Sequence, residues 1–154
     1  LVVNHNHFYL LPNSDNTIPT FMQKLNNGFA QSFNLLHKRK DAVFGRRYGS
    51  VIVKDELQSH AVSRYVSVIN PLDVFQPGWR EMGLKDSKEA FNFLENYEFS
   101  SFPDKIGKRS SQILAPRETL EQYAPFWGSE NEYREFVQDF LKERSISLHP
   151  AFIE

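Results

Sequence analysis

Two histidines and a tyrosine alternate near the start of the chain, with a spacing that suits metal binding. His5, His7 and Tyr9 lie two residues apart. On a strand, such side chains point to one face, about 6.6 Å apart along the chain. Two imidazoles placed this way can converge on one cation. Because the chain has no cysteine, the other ligands would be oxygens, which suits Mg²⁺ or Mn²⁺. The ordinary alternative is a pair of polar side chains on a half-exposed strand.

Tyr65 is the residue whose type could perform nucleophilic chemistry. A tyrosine can attack phosphorus and hold a covalent intermediate if a cation offsets the charge that develops on the phosphate oxygens. Asn70 could offer an amide oxygen to that cation, or could only cap a helix end before Pro71. Tyr65 also shares an apolar stripe with Leu57 and Ala61, so a place in the core is the alternative.

Basic residues are concentrated in the first half of the chain, although the formal net charge is −1. Residues 21–64 contain eight basic and three acidic residues, whereas residues 65–154 contain ten basic and fifteen acidic ones. Within the basic half, Arg46, Arg47 and Tyr48 lie between two glycines. Guanidinium groups pair with phosphate and aromatic rings stack on unpaired bases, so the pattern indicates a face for an anion. A basic β-turn is the alternative.

Hydrophobic periodicity predicts the elements that must position these residues. Leu1–Leu11 is typical of a buried strand, and Ala42–Val53 predicts two short strands or one bent strand. Apolar residues at three- and four-residue steps predict a helix of about 18–20 residues from Ile18 to Leu36. Residues 72–85 are expected to be irregular. Further helices are predicted from Asp55 to a stop at Asn70-Pro71, from Asp86 or Ser87 to Tyr97, after Pro116, and from a capping box at Ser129 and Glu132.

Together, the order of these pieces resembles the REP-associated tyrosine transposases, which are single-tyrosine transposases of the His-hydrophobe-His superfamily. The segments that carry the resemblance are Asn4–His7, Phe21-Met22 and Asn34 in the first helix, Val43–Tyr48, Val51–Glu56, Ser63–Val66, Asn70–Leu72, Trp79, Tyr97–Ser101 and Glu132–Val137. The resemblance spans nearly the whole chain. The order and spacing of these segments are more specific than any single segment.

The resemblance implies an α+β fold with a ferredoxin-like transposase core, in which an antiparallel sheet with packed helices carries the histidines on its central strand. Residues 1–99 would form the C-terminal part of this catalytic core, and residues 100–154 a helical extension packed on it. The family's first strand and helix precede the histidine strand, so the chain is expected to begin partway through the core. A sheet edge left open in this way must be covered by a missing segment or by a partner chain, as in a homodimer.

The implied activity is metal-dependent strand transfer by a DNA transposase and endonuclease, which nicks and rejoins single-stranded, hairpin-bearing DNA. Tyr65 would attack to give a 5′-phosphotyrosine and a free 3′-hydroxyl, with His5, His7 and Asn70 as ligands of Mg²⁺ or Mn²⁺. The predicted DNA contacts are Lys38, Arg39, Lys40, Arg46, Arg47, Tyr48 and Arg64. The protein would act in the bacterial cytoplasm at the nucleoid. No apolar run in the sequence approaches the length of a membrane span.

Two departures from the family pattern leave alternatives open. The residue between His5 and His7 is Asn6 rather than an apolar one, and a shift by two residues would put Tyr9 in the second histidine's place. The family's polar residue follows the tyrosine at i+4, whereas Asn70 is at i+5. In a regular helix, the extra residue turns the Asn70 side chain by about 100° from the i+4 position, and only a loosened helix would bring it back. The alternatives are a degenerate or truncated relative that only binds structured single-stranded DNA, and a product with no activity.

Overall fold

The computed structural model describes residues 6–10, 12, 17–115 and 128–145. They belong to two compact units. The smaller unit is Leu10–Val53, and the larger contains the residues up to Tyr9 and those from Lys54 on. The candidate chemical residues His7 and Tyr65 therefore lie in the larger unit. Most of the predicted basic contacts lie in the smaller one.

The smaller unit consists of one long helix followed by irregular chain. Helix α1 spans Thr17–Leu36, which confirms the predicted helix. Phe29 on this helix contacts Phe44, with ring centroids 5.8 Å apart. The strands predicted between Ala42 and Val53 do not form, and this prediction was wrong. A β-prone segment needs a neighbouring strand with which to exchange hydrogen bonds, and the described residues supply none.

The larger unit begins with a helical run that carries Tyr65. It comprises α2 (Glu56–Arg64), a five-residue π turn (Tyr65–Ile69) and α3 (Asn70–Phe75), with right-handed helical backbone angles at the junctions. The predicted N-cap is confirmed, because the Asp55 side chain accepts a hydrogen bond from the Gln58 N–H at 2.8 Å. The predicted stop at Asn70-Pro71 was wrong.

Pro71 gives a physical reason for the π turn. Proline has no N–H, and inside a helix its ring crowds the carbonyl four residues earlier, which here belongs to Ser67. Widening the helix by one residue is a known way to accommodate such a break. The Ser67 carbonyl accepts a hydrogen bond from the Ser100 hydroxyl instead, at 2.9 Å. The helix therefore passes through Pro71 rather than ending before it.

Four further helices complete the described part of the larger unit. They are α4 (Trp79–Met82), α5 (Ser87–Asn96), α6 (Phe102–Lys105) and α7 (Glu130–Glu143). The predicted starts of α5 and α7 are confirmed by the Asp86 cap and by the capping box of Ser129 and Glu132. The expectation that residues 72–85 are irregular was wrong where α3 and α4 form. The helix predicted after Pro116 lies outside the described residues.

The core of the larger unit lies between these helices. Its fully buried side chains include Val68, Leu72, Leu84, Leu94, Phe102, Val137 and Leu141. Val68 and Leu72 belong to the run that carries Tyr65, so this packing holds the inner face of that run. Burial of each such side chain contributes about 1.5–3 kcal/mol of transfer free energy.

The predicted α+β ferredoxin-like core is wrong for the part of the chain that the structure describes. Residues 6–10 have no regular structure, and no strand forms in 17–115 or 128–145. The only β-type pairing in these ranges is an isolated bridge between Leu84 and Ser145. The described elements are helices because their apolar residues follow the helical period, whereas the β-prone residues find no strand to pair with. The division after residue 99 stays a prediction.

Candidate functional site

His7 and Tyr65 meet in the larger unit. Their ring centroids are 5.1 Å apart, and their planes cross at 88°, so one ring faces the edge of the other. Both residues are half-buried and keep some access to solvent. Edge-to-face pairs of aromatic rings are favourable by about 0.5–1.5 kcal/mol beyond their burial. An imidazole from the N-terminal segment and a phenol from the helix thus share one location.

The segment that carries His7 runs along α2. The Tyr9 hydroxyl forms a hydrogen bond with Ser59 Oγ at 2.8 Å. Ser59 precedes Tyr65 by six residues, which is about 9 Å along a helix, so the segment and the helix run in opposite directions. His7 and Tyr9 both contact the helical run of α2 and the π turn, although residues 6–10 do not form the strand on which a shared face was predicted. The Tyr9 hydroxyl is engaged with Ser59, and both registers of the predicted metal site stay predictions.

The π turn corrects the five-residue spacing between Tyr65 and Asn70. The Asn70 N–H donates a hydrogen bond to the Tyr65 carbonyl, which is the i+5 to i pattern of a π-helix. Asn70 therefore follows Tyr65 by one hydrogen-bonded turn, as an i+4 residue does in an α-helix. Single π turns within α-helices are frequent at functional sites. The π turn is the loosened stretch of helix that the spacing of Tyr65 and Asn70 called for.

The predicted metal ligands are only partly within the described chain. His5 lies outside the described residues, whereas His7 and Asn70 lie beside Tyr65 and one turn after it. In the ranges that the structure describes, no three His, Cys, Asp or Glu side chains cluster as a metal site would. An imidazole and an amide oxygen fit part of the predicted donor set. The Mg²⁺ or Mn²⁺ site stays a prediction.

Arg80 is a third group at Tyr65 that sequence analysis missed. Its guanidinium carbon lies 5.7 Å from the centroid of the Tyr65 ring. Asp73 orients it through two bonds, one from Nε to Oδ1 at 3.0 Å and one from Nη2 to Oδ2. The Trp79 indole N–H donates to the same Oδ1 at 2.9 Å. The hydrogen bond to Asp73 is the largest cause that raises the pKa of Arg80, and Tyr65 adds to it.

No sequence signal pointed to Arg80, because it lies in the segment that lacked a helical period and was expected to be irregular. The Asp73–Arg80 pair depends on the turn between α3 and α4. That turn passes through Gly78, which has a φ of 82°, in the left-handed region that glycine tolerates. A Gly between two short apolar segments was the available cue to a turn of this kind.

Arg64 packs in the larger unit rather than extending freely. Its guanidinium carbon lies 5.1 Å from the centroid of Phe140 and 5.7 Å from that of Phe136, both on α7. Its Nε is buried and has no hydrogen-bond partner among the described residues. Stacking of this kind stabilises by about 0.5–2 kcal/mol. The position of the Arg64 side chain is explained by its packing against α7. Its contact with DNA stays a prediction.

The other predicted DNA contacts are all exposed in the smaller unit. They are Lys38, Arg39, Lys40, Arg46, Arg47 and Tyr48. Arg39 lies over the ring of Phe33, with its guanidinium carbon 5.7 Å from the ring centroid. Exposed cations and the exposed ring of Tyr48 suit a nucleic-acid backbone and its unpaired bases, but contact with DNA stays a prediction.

No protein-family model, curated protein or solved structure matches the chain. The resemblance to single-tyrosine transposases therefore depends on the order of residues given above. The meeting of His7 and Arg80 at Tyr65, with Asn70 one turn later, is the structural observation that bears on it. Within the described residues, no helix is long and apolar enough to cross a membrane.

Proposed function

We propose that this chain is a single-tyrosine DNA transposase and endonuclease, which nicks and rejoins single-stranded, hairpin-bearing DNA. The observation that carries the proposal is the meeting of His7 and Arg80 at the ring of Tyr65. Phosphoryl transfer requires a nucleophile and fixed positive charge where the phosphate oxygens gain charge. Tyr65 supplies the first, and Arg80 supplies the second.

The proposed step exchanges one phosphodiester for another. The Tyr65 hydroxyl oxygen attacks the scissile phosphorus, and the bond from phosphorus to the 3′ oxygen breaks. The phenol loses its proton to water, and the departing 3′ oxygen takes a proton from water to become a 3′-hydroxyl. The fragment downstream of the break stays linked to Tyr65 through its 5′ phosphate, as a phosphodiester. Attack by a 3′-hydroxyl on this link rejoins the strand and restores the phenol.

Arg80 is placed to contact the phosphate during this step. A guanidinium has five N–H donors, and Asp73 uses the Nε donor and one on Nη2. The remaining donors can bind the non-bridging oxygens of a phosphate at Tyr65, and Asp73 keeps the guanidinium in place. Charge-assisted hydrogen bonds of this kind are short and strong.

His7 and Asn70, together with His5, would hold Mg²⁺ or Mn²⁺. Such a cation would supply further positive charge to the phosphate oxygens when bound. Two imidazoles and one amide oxygen would leave further coordination positions for water and phosphate oxygen, which these cations prefer.

The second candidate is a module that binds structured single-stranded DNA without cutting it. The exposed cations and Tyr48 of the smaller unit favour it, because they can grip a backbone and unpaired bases with no contribution from Tyr65. In this function Tyr65 would only pack against His7 and Arg80. Binding would weaken with salt and would not depend on a divalent cation.

Covalent capture separates the two functions. The full chain is incubated with Mn²⁺ and a pool of hairpin oligonucleotides labelled at the 3′ end, because the label then stays with the fragment bound to tyrosine. We expect a protein–DNA band that survives denaturing electrophoresis. The band should be absent for Tyr65→Phe and present for Tyr97→Phe, a matched control that also removes one phenolic oxygen.

Two outcomes would contradict the proposal. One is a covalent band of equal intensity from Tyr65→Phe, which would assign the link to another residue. The other is a folded wild-type chain that binds the hairpins, independently of Mn²⁺ and more weakly at high salt, but gives no covalent band. That second outcome would select the binding module.

A further inference from the structure

A polar cluster lies on the inner side of the helical run that carries Tyr65. Ser63 and Ser67 are both buried and stand two residues before and two residues after Tyr65. Residues two positions apart lie on nearly opposite sides of a helix, so these serines face away from the phenol. Lys105 at the end of α6 and Tyr133 on α7 contact the two serines from neighbouring helices.

The hydroxyl of Ser67 is at the centre of this cluster. It donates to the Ser63 carbonyl at 2.8 Å, so the 2.9 Å bond with the Tyr133 hydroxyl has Tyr133 as donor. It also accepts from Lys105 Nζ at 3.2 Å. One donor and two acceptor positions are all that a hydroxyl possesses, so this group is fully used. The same Lys105 Nζ donates to Ser63 Oγ at 2.7 Å.

The cluster also satisfies one main-chain carbonyl before the π turn, that of Ser63, and one within it, that of Ser67. The Ser67 carbonyl would bond to the N–H of residue 71 in a regular helix, but that residue is proline. The Ser100 hydroxyl supplies the missing donor at 2.9 Å. At the other side, the Ser63 carbonyl accepts from Ser67 Oγ and, at 3.4 Å, from Lys105 Nζ. Bonds from outside the helix thus hold the backbone before and after Tyr65.

We propose that Lys105 and Tyr133 are positioning residues, which hold the helix in its π form through Ser63 and Ser67 and thereby keep Asn70 one turn after Tyr65. The catalytic consequence rests on the proposed function, whereas the effect on the π turn does not. When these bonds are lost, the turn is free to adopt other hydrogen-bond patterns. Asn70 then rotates away from the side of the helix that carries Tyr65.

The test uses three variants of the full chain and one matched control. Lys105→Met removes the donors and keeps the length of the side chain, Ser67→Ala removes the central hydroxyl, and Tyr133→Phe removes one hydroxyl and keeps the ring. The control is Lys108→Met. Lys108 follows Lys105 by three residues, but its Nζ bonds to Asn96 Oδ1 at 2.9 Å and not to the helical run that carries Tyr65.

The first readout is hydrogen exchange of the Asn70 amide, whose bond to the Tyr65 carbonyl defines the π turn. Loss of one buried hydrogen bond should speed this exchange about tenfold in the three variants, with no change in Lys108→Met. The second readout is the Mn²⁺ concentration at half-maximal covalent capture, which should rise in the three variants while hairpin affinity stays unchanged. A purely structural role elsewhere in the fold would not shift that concentration.

Each combination of results has one meaning. Faster Asn70 exchange with no covalent capture in the wild type supports the positioning role and contradicts the proposed function. Unchanged exchange in folded Ser67→Ala and Tyr133→Phe, with normal capture in the wild type, overturns the positioning role and leaves the proposed function standing. If Lys105→Met does not fold, the milder Tyr133→Phe still decides the question.

Discussion

Tyr65 and Asn70 are joined by a hydrogen bond that spans five residues, from the Asn70 N–H to the Tyr65 carbonyl. In a regular α-helix this N–H would reach the Val66 carbonyl, and Asn70 would be turned by about 100° from its present place. The π turn absorbs one extra residue directly before Pro71. The excess residue is therefore accommodated where the proline already prevents regular bonding.

Deletion of Ile69 should be tolerated, because it removes the extra residue and leaves Asn70 four positions after Tyr65. An α turn can then replace the π turn, and the buried Leu72 keeps its place in the core. We expect a loss of about 3–5 kcal/mol in the free energy of unfolding, from the half-buried Ile69 side chain and from the proline ring, which crowds a carbonyl again in an α turn. Urea denaturation followed by circular dichroism measures this loss.

The control for that deletion is removal of Val62 from the regular part of α2. This deletion rotates the part of α2 before residue 62 by about 100° relative to the core. The variant should therefore lose its cooperative unfolding transition. Equal damage from both deletions would show that the π turn does not act as a one-residue insertion. Retained covalent capture in the Ile69 deletion would support the role of the Asn70 position.

Lys105 should make stability depend on pH near neutrality. Burial lowers the pKa of Lys105 from 10.5 to about 7. Between these values the unfolded chain holds a proton that the folded chain lacks, so stability rises with pH across this window, by at most about 1.4 kcal/mol per pH unit. Urea midpoints measured across the window should rise in the wild type and in Lys108→Met. They should be flatter in Lys105→Met, and an unchanged slope there would refute the assignment.

Tyr133 should produce the opposite trend at higher pH. Burial raises the pKa of Tyr133 from 10.0 to about 12. Above pH 10 the unfolded chain loses the phenolic proton first, so this contribution to stability declines as the pH rises through the folded value. The decline should be smaller in Tyr133→Phe. An identical decline in this variant would attribute it to other groups.

Asp104 should stabilise α6, which carries Lys105, and the chain that follows it to Ser111. Its carboxylate accepts from Arg109 Nε at 2.9 Å and from the Ser111 N–H at 2.7 Å, and its side chain is only 8% exposed. Asp104→Asn keeps the size and removes the charge. We expect a loss of about 1–3 kcal/mol, because hydrogen bonds to a charged group are replaced by weaker ones. Thermal denaturation measures the loss.

The matched control for Asp104 is Asp139→Asn, since the Asp139–Lys142 pair is an exposed one within α7. Exposed pairs of this type contribute little, so a change within about 0.5 kcal/mol is expected. A similar effect of both substitutions would argue that the Asp104 pair is also screened by solvent.

Asp73 should affect the site through Arg80. Asp73→Asn removes the charge that orients the guanidinium, while Tyr65 and His7 are untouched. We expect covalent capture to slow about tenfold with hairpin affinity unchanged, because the guanidinium would be less well fixed at the phosphate. Time courses of capture at saturating DNA measure this effect. Arg144→Ala is the control, because the Arg144 guanidinium carbon lies 5.6 Å from the centroid of Phe140 rather than at Tyr65. A parallel loss of DNA affinity in Asp73→Asn, or equal slowing by Arg144→Ala, would contradict the prediction.

The helix starts were predictable from the sequence. Asp55, Asp86 and Ser129 each accept a hydrogen bond from an N–H two or three residues later, so four consecutive residues contain the whole interaction. The α1 helix was predictable for a similar reason, since its apolar residues follow one period. The strands were not, because Val51 and Ile52 have β-propensity but a strand exists only beside another one.

At the candidate site, the sequence by itself determined the residue types and one excess residue before Pro71. Pro71 favours a widened helix at this place, and only the tertiary structure brings Lys105 and Tyr133 from other helices to Ser63 and Ser67. The burial of Lys105 and the placement of Arg80 at Tyr65 likewise depend on distant residues that pack against them. Caps and periods are local and can be read along the chain, whereas the width of a turn and the solvation of a charge depend on surrounding elements.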